Sequence, residues 1–433
     1  MNTNFHPIVR RVLRGLPALA LVSFVAPAAA GDLFTLNGNT TDAGLPVTFN
    51  EGSSRLPSFI SDLVSGSNQF DALNNRQFSA SLRYADVANA LNFNIRQIGT
   101  TWRADLTSPF DPGLINRSFN SNTRDQLDSA IQDYLKKDGS ADLARFLAAI
   151  NKKSAVAGVL DGNPNSATAQ IANQSFMEYG LRPTETAEEI DGSADGNGNG
   201  SDTTSRSGFS FTADVGTFRG QGVEGQSYSW TPMIPYTIGK ARRVRLELAL
   251  PINYTKIEGA DQYRVGAQLG VAVLLVKRTK DQPWLWQVTP QGGVTVAGSA
   301  DMIAGGVLLS GGATSYTSYR WNNWEFSMGN HISFHEGLKV SVDNYTFDPQ
   351  ISQQIVKNGL KIGRSLGEHW YAEVYAIDTE FVEAAYASRF TTVGAGVGYR
   401  GQKRKGYMML GTYMDFGPGY QSAHAQFGTG WKF

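Results

Sequence analysis

The strongest constraint in this chain is a two-residue periodicity held over unusually long runs. Val244, Leu246, Leu248, Leu250, Ile252 and Tyr254 alternate with Arg243, Arg245, Glu247, Ala249, Pro251 and Asn253. Successive side chains of a strand point to opposite faces, so the segment has one apolar and one polar face. Its length of about ten residues suits a tilted strand crossing a bilayer better than the five or six of a soluble strand. Trp324, Phe326, Met328, Ile332 and Phe334 repeat the pattern against Glu325, Ser327, Gly329, His331, Ser333 and His335, as do 391–400 and 408–416.

Segments of this kind fall at 207–219, 226–238, 242–256, 261–278, 283–298, 302–320, 323–337, 352–366, 368–382, 388–400, 405–417 and 421–433. An even number lets a bacterial barrel begin and end on the same side of the membrane. Closure is physically required, because an open sheet edge in hydrocarbon leaves unpaired N–H and C=O groups. The expected fold class is therefore mainly β, a C-terminal antiparallel transmembrane β-barrel of about 12 strands with a smaller N-terminal α+β region.

The ends support export. Arg10, Arg11 and Arg14 precede the apolar run from Leu16 to Val25, and Ala28, Ala29 and Ala30 offer a cleavage site, so 1–30 reads as a signal peptide. The run is too short to remain as a membrane-spanning helix. The chain has no cysteine, which excludes thiol chemistry and leaves stability to packing and backbone pairing. Its 38 basic and 38 acidic residues balance, and no basic stripe with interleaved aromatics is present, so a nucleic-acid partner has no support.

Ahead of the barrel the character is mixed. Residues 31–75 read as an irregular leader and 76–190 as a small α+β domain. Phe78 to Tyr84 and Leu91 to Ile95 alternate as short strands, and Thr123 with Gln126 forms a capping box before Leu127, Ile131 and Leu135. Ser140 caps a second helix through Ile150, and a third runs from about Ser166 to Tyr179, all three reading as packing helices. Residues 191–206, DGSADGNGNGSDTTSR, form a flexible linker before a barrel at 207–433.

The last strand ends at Phe433 with Trp431, Thr429 and Phe427 alternating behind it, which resembles the terminal signature of outer-membrane barrels. That resemblance implies that the barrel-assembly machinery reads this strand and that outer-membrane lipids surround the barrel. A signal peptide, an N-terminal unit, a linker and a C-terminal barrel together resemble the autotransporters. Two departures stand out: the N-terminal unit lacks β-helical rungs, and no helix is expected immediately before the first strand, where that family places one in the pore.

Chemistry-bearing constellations are few. His331, Ser333 and His335 share a polar face with Glu325, and His331-Ile332-Ser333 is similar to the His-x-Ser of barrel phospholipases and lipid A deacylases. An imidazole beside a hydroxyl is the minimum for nucleophilic catalysis. Arg243, Arg245, Glu247, Arg400, Asp415, His424 and Lys432 are expected on the lumen wall, as a charge ring or as paired networks. Asp191, Ser193, Asp195, Gly196 and Asp202 match a calcium-loop spacing, although Asp202 stands where the bidentate Glu belongs. No cofactor is expected. The expected role is a non-enzymatic outer-membrane barrel that anchors or contains its N-terminal unit, for display or small-solute passage. Autotransporter-like secretion and a hydrolase acting on lipid or peptide through His331 and Ser333 are the alternatives.

Overall fold

The computed structural model describes residues 32–134 apart from 43–45, 66, 67 and 110, parts of 142–154, then 158–181 and 206–432 apart from 239–242, 280, 303, 343, 344, 348–350, 384 and 401–405. The signal segment, the linker with its calcium-loop spacing, and Phe433 lie outside the described residues, as does much of the helix expected after Ser140.

The N-terminal unit is built on a six-stranded antiparallel sheet in the order β2-β1-β3-β4-β5-β6. Its strands are β1 (Phe34–Thr40), β2 (Thr48–Ser53), β3 (Phe78–Tyr84), β4 (Val87–Ile98), β5 (Thr101–Thr107) and β6 (Asn116–Ser121). Phe34, Leu36, Phe78, Leu82, Phe93, Ile95, Trp102 and Leu106 point to one face and are buried. Helices α1 (Leu56–Ser65) and α2 (Arg124–Asp133) supply Phe59, Ile60, Leu63, Leu127 and Ile131 to the same core. Thr123 caps α2 as expected, accepting from the Gln126 amide at 3.3 Å. The segment 31–75 is thus not an irregular leader: β1, β2 and α1 lie in it, because Phe34, Leu36, Phe59 and Leu63 fill the cavity that β3–β5 alone would leave open.

The C-terminal half is a closed antiparallel barrel. Its strands are β7 (Arg206–Gly220), β8 (Val223–Ile238), β9 (Val244–Ala249), β10 (Ile252–Ile257), β11 (Ala260–Val276), β12 (Trp284–Ser299), β13 (Ala304–Trp321) and β14 (Trp324–Leu338). After a small hairpin, β15 (Val340–Val342) and β16 (Tyr345–Phe347), come β17 (Ser352–Ser365), β18 (Trp370–Phe381), β19 (Arg389–Arg400), β20 (Gly406–Gly417) and β21 (Tyr420–Lys432). β9 and β10 both pair with β8 and β11, so they form one strand broken near Pro251, whose ring nitrogen has no hydrogen to donate. The ring therefore has 12 staves. It closes where β21 pairs with β7, from Gln421 opposite Arg219 to Lys432 opposite Gly208.

Alternation fixes what each wall residue faces. Along β14, Trp324, Phe326, Met328 and Phe334 are exposed on the outside, while Glu325, Ser327, His331, Ser333 and His335 are buried inside. Leu248, Leu250, Ile252, Val265, Val296, Leu360, Val374 and Leu410 extend this apolar exterior around the ring. An even, closed barrel with an apolar belt and a polar interior is the fold of an outer-membrane barrel. Trp284, Trp321, Trp324, Trp370 and Trp431 are all outward and all near the rim where β7 begins and β21 ends, as in an interfacial aromatic girdle.

The N-terminal unit covers the opposite rim. Phe218, Val223, Ile257, Ala260, Met302, Leu308 and Ile351, at the strand ends and turns there, belong to its hydrophobic core. The Leu56 amide donates to the Asp301 carbonyl at 2.9 Å, and Arg55 pairs with Asp301 at 3.2 Å.

Candidate functional site in the barrel lumen

The segment before the barrel builds the site. Ser166 caps α3 (Ala167–Tyr179), its hydroxyl accepting from the Ala169 amide at 3.4 Å, and Gly180 closes the helix by donating to the Phe176 carbonyl at 2.7 Å. The sequence places a helix here but assigns it to the N-terminal unit. Instead α3 lies inside the barrel. Thr168 donates to Gln353 on β17 at 2.5 Å, Gln174 to Thr231 on β8 at 2.9 Å, and Ser175 to Gln268 on β11 at 3.3 Å. Glu178 accepts from Thr212 on β7 at 3.2 Å. Partners on opposite sides of the wall require the helix to stand within the ring.

Its apolar face leans to one side. Ala169 and Ala172 pack on Ile355, Phe381 and Phe390, and Phe176 and Leu181 on Ile377. Gly329 and Gly359, register partners on β14 and β17, make this approach possible. A Cβ on Gly329 would collide with the Gly180 carbonyl, and one on Gly359 would lie 2.9 Å from the Phe176 ring. Gly270 on β11 likewise accommodates the Tyr179 ring.

The direction of the helix is fixed at both ends. Tyr386 donates its amide to Gly162 at 2.9 Å and the Tyr420 hydroxyl donates to Asn165 at 2.9 Å, both at the rim the N-terminal unit covers. Val159 to Ser166 are all buried in that mouth. Burial there pushes the Asp161 carboxyl up to about 6, against the opposing field of Lys152. Leu181 lies near Gly359, half-way down β17, so α3 carries the chain from the covered rim half-way along the lumen, and β7 starts at Arg206 on the far rim.

The inward residues expected from sequence are placed as follows. Arg245 and Glu247 are buried and form an ion pair. Glu325 takes Arg278 at 3.2 Å and Arg320 at 2.7 Å, with the Tyr316 hydroxyl at 3.2 Å. Asp415 accepts from Thr392 and Ser422, each at 2.5 Å, and His424 binds Asp214 at 2.8 Å. Arg400 donates to Ser365 at 3.3 Å and lies 5.5 Å from the Tyr371 ring centroid. Arg243 departs from expectation: it is exposed at the rim, one residue before β9, where the wall has ended. Of Lys432 only the backbone is described.

The histidine strand is arranged differently from a His331–Ser333 pair. His331 bonds Thr314 at 2.8 Å and Gln291 at 3.3 Å, while Ser333 bonds His335 at 3.0 Å. Among the described residues the other nitrogen of His335 has no hydrogen-bond partner, so none of their acids orients that ring. Phe176 of α3 lies against His331, with ring centroids 6.2 Å apart. Among the described residues no group of three or more metal-ligating side chains gathers. Lys357, Lys361, Glu373 and Arg264 are further inward residues, for which the alternation along β11, β17 and β18 carries the signal, and Arg278, just past the end of β11, joins them.

α3 does not fill the ring evenly. A cavity of about 90 Å³ remains between its polar face and β7, β8, β20 and β21, lined by Gln174, Asp214, Asn253, Arg264, Asp415 and His424 among others.

No protein-family model matches this sequence, and no curated protein matches it. Among solved structures it is similar to the β domain of the Bordetella autotransporter BrkA, at 12% identity and a TM-score of 0.39, covering 52% of this chain and 98% of that one. It is similar to the translocator domain of the autotransporter NalP from Neisseria meningitidis, at 12% identity and a TM-score of 0.38, covering 62% and 98%. A third likeness is to the NanC porin, at 8% identity and a TM-score of 0.34, covering 52% and 100%.

Proposed function

We propose that this protein is an outer-membrane anchor that holds its N-terminal domain at the outer mouth of a barrel closed from within by α3. The observation that carries this is the path of the chain: a folded domain on one rim, a helix down the lumen, and the first strand starting from the other rim. Both barrel ends lie at that second rim, and insertion from the periplasm leaves the chain ends there while hairpins cross the bilayer. The domain then faces outward.

This is an autotransporter-like arrangement, with residues 32–166 as the displayed unit. Solute passage is the weaker use, because α3 is bonded to several sides of the wall and several lumen charges, among them Arg278 with Glu325 and Lys361 with Glu373, are engaged in pairs. Protease added to intact cells should remove the N-terminal domain and leave a membrane-embedded fragment that starts in or after α3. Cleavage only after the outer membrane is permeabilised would overturn the outward orientation.

A further inference from the structure

Arg264 is a buried lumen cation that, like Lys357, has an unpartnered side-chain nitrogen among the described residues. It is 6% exposed, and among the described residues no carboxylate lies within ion-pair distance of it. Among the described residues its hydrogen bond runs from Nη1 to the Ala167 carbonyl at 3.2 Å, and its Nε has no partner. Asn253, its register partner on β10, is 7% exposed with Nδ2 unpartnered. Asn165, 5% exposed and just before α3, also leaves Nδ2 unpartnered.

All three line a small cavity of about 10 Å³ and also the larger cavity beside it. That volume is about what one atom-sized occupant needs. The start of α3 borders the same space through Ala167 and Gln170, adding the positive end of a helix dipole. Of the acids across the larger cavity, Asp214 binds His424 through Oδ1 and leaves Oδ2 unpartnered among the described residues, Asp415 holds two hydroxyls, and Glu178 accepts from Thr212. A buried guanidinium and two buried amides, all with unused donors and with no carboxylate in ion-pair distance of the guanidinium among the described residues, form an electrostatically incomplete site.

We propose that this pocket is a binding site for a single small monovalent anion of chloride size, which completes the seat of α3 at the capped mouth. The anion accepts from Arg264 Nε, Asn253 Nδ2 and Asn165 Nδ2. It couples β10, β11 and the N-terminus of α3. The site is independent of which way the barrel faces.

The test uses the full-length protein purified in detergent, unfolded thermally in sodium chloride, sodium bromide or sodium gluconate at one ionic strength. Chloride and bromide should raise the midpoint saturably, whereas gluconate, too large for the pocket, should not. In bromide-soaked crystals an anomalous peak should stand between Arg264 and Asn253. Arg264→Gln should abolish the halide shift. Asn253→Asp, which places a fixed carboxylate beside Arg264, should also abolish it while holding the midpoint at or above the halide-saturated wild type, and this variant decides the matter if Arg264→Gln fails to fold. A wild-type midpoint that ignores halide, a pocket with no bromide peak and therefore water alone, or a halide shift that survives in Asn253→Asp would each overturn the proposal.

Discussion

Asp161 shows how a single buried group reports on the capped mouth. Its folded-state pKa of about 6 lies above the ordinary 3.8, so the folded protein binds more protons than the unfolded one between those values. The contribution of Asp161 to stability is therefore greatest below about pH 4, falls as the pH rises towards 6, and is level above that. Asp161→Asn should raise the thermal midpoint at pH 7 by the equivalent of about 1–3 kcal/mol, with the gain vanishing near pH 3, as circular dichroism melts at both pH values would show. Arg124 is a contrasting case in the N-terminal domain. Burial pushes its pKa down to about 10, yet it stays charged at neutral pH. It donates to the Val64 carbonyl at 2.6 Å and the Arg76 carbonyl at 2.9 Å between the Phe78 and Trp102 rings. Arg124→Met should destabilise the domain by about 2–4 kcal/mol, because two buried carbonyls lose a charged donor, measurable by denaturant unfolding.

At the scale of elements, the closure of the barrel proposed for α3 is open to an electrical test. Phe176 is fully buried against Ile377, and Phe176→Ala should loosen the plug by about 3–5 kcal/mol. Planar-bilayer recordings should then show brief openings absent from the wild type. Gly329→Leu should act more strongly, since the new side chain would need the space taken by the Gly180 carbonyl, and its recordings should show a sustained open state. A wild-type current as large as that of either variant would contradict the plug. The strands and their order were legible in advance because a period of two over a dozen or more residues has few other physical meanings. The helix itself was legible too, from Ser166 as its cap and the spacing of Ile171 and Phe176. Its destination was not, because an apolar stripe of Ala169, Ala172 and Phe176 packs equally well on a sheet core or on a barrel wall.

At the scale of the molecule, domain and barrel share one hydrophobic core through Met302, Leu308, Ile257 and Val223. They should open together. Leu308→Asp would bury an unpaired carboxylate in that junction, and it should undock the domain. The check is limited proteolysis of the purified protein, with the buried stretch from Val159 to Ser166 becoming a new cleavage site and the barrel retaining its heat-modified gel mobility.

By itself the sequence determined the wall. Two-faced strands long enough to cross a bilayer must close, and alternation then dictates which of Glu325, His331, Asp415 and Arg245 face inward. Those are local rules, readable residue by residue. Tertiary structure alone decided what those inward groups meet: that Ser333 reaches His335 and not His331, that Arg243 falls past the end of the wall, and that α3 leaves its own domain to stand against Gly329 and Gly359. The reason is physical. Contacts within the closed ring join residues separated by up to 255 positions, and nothing in the local pattern of either partner records the other.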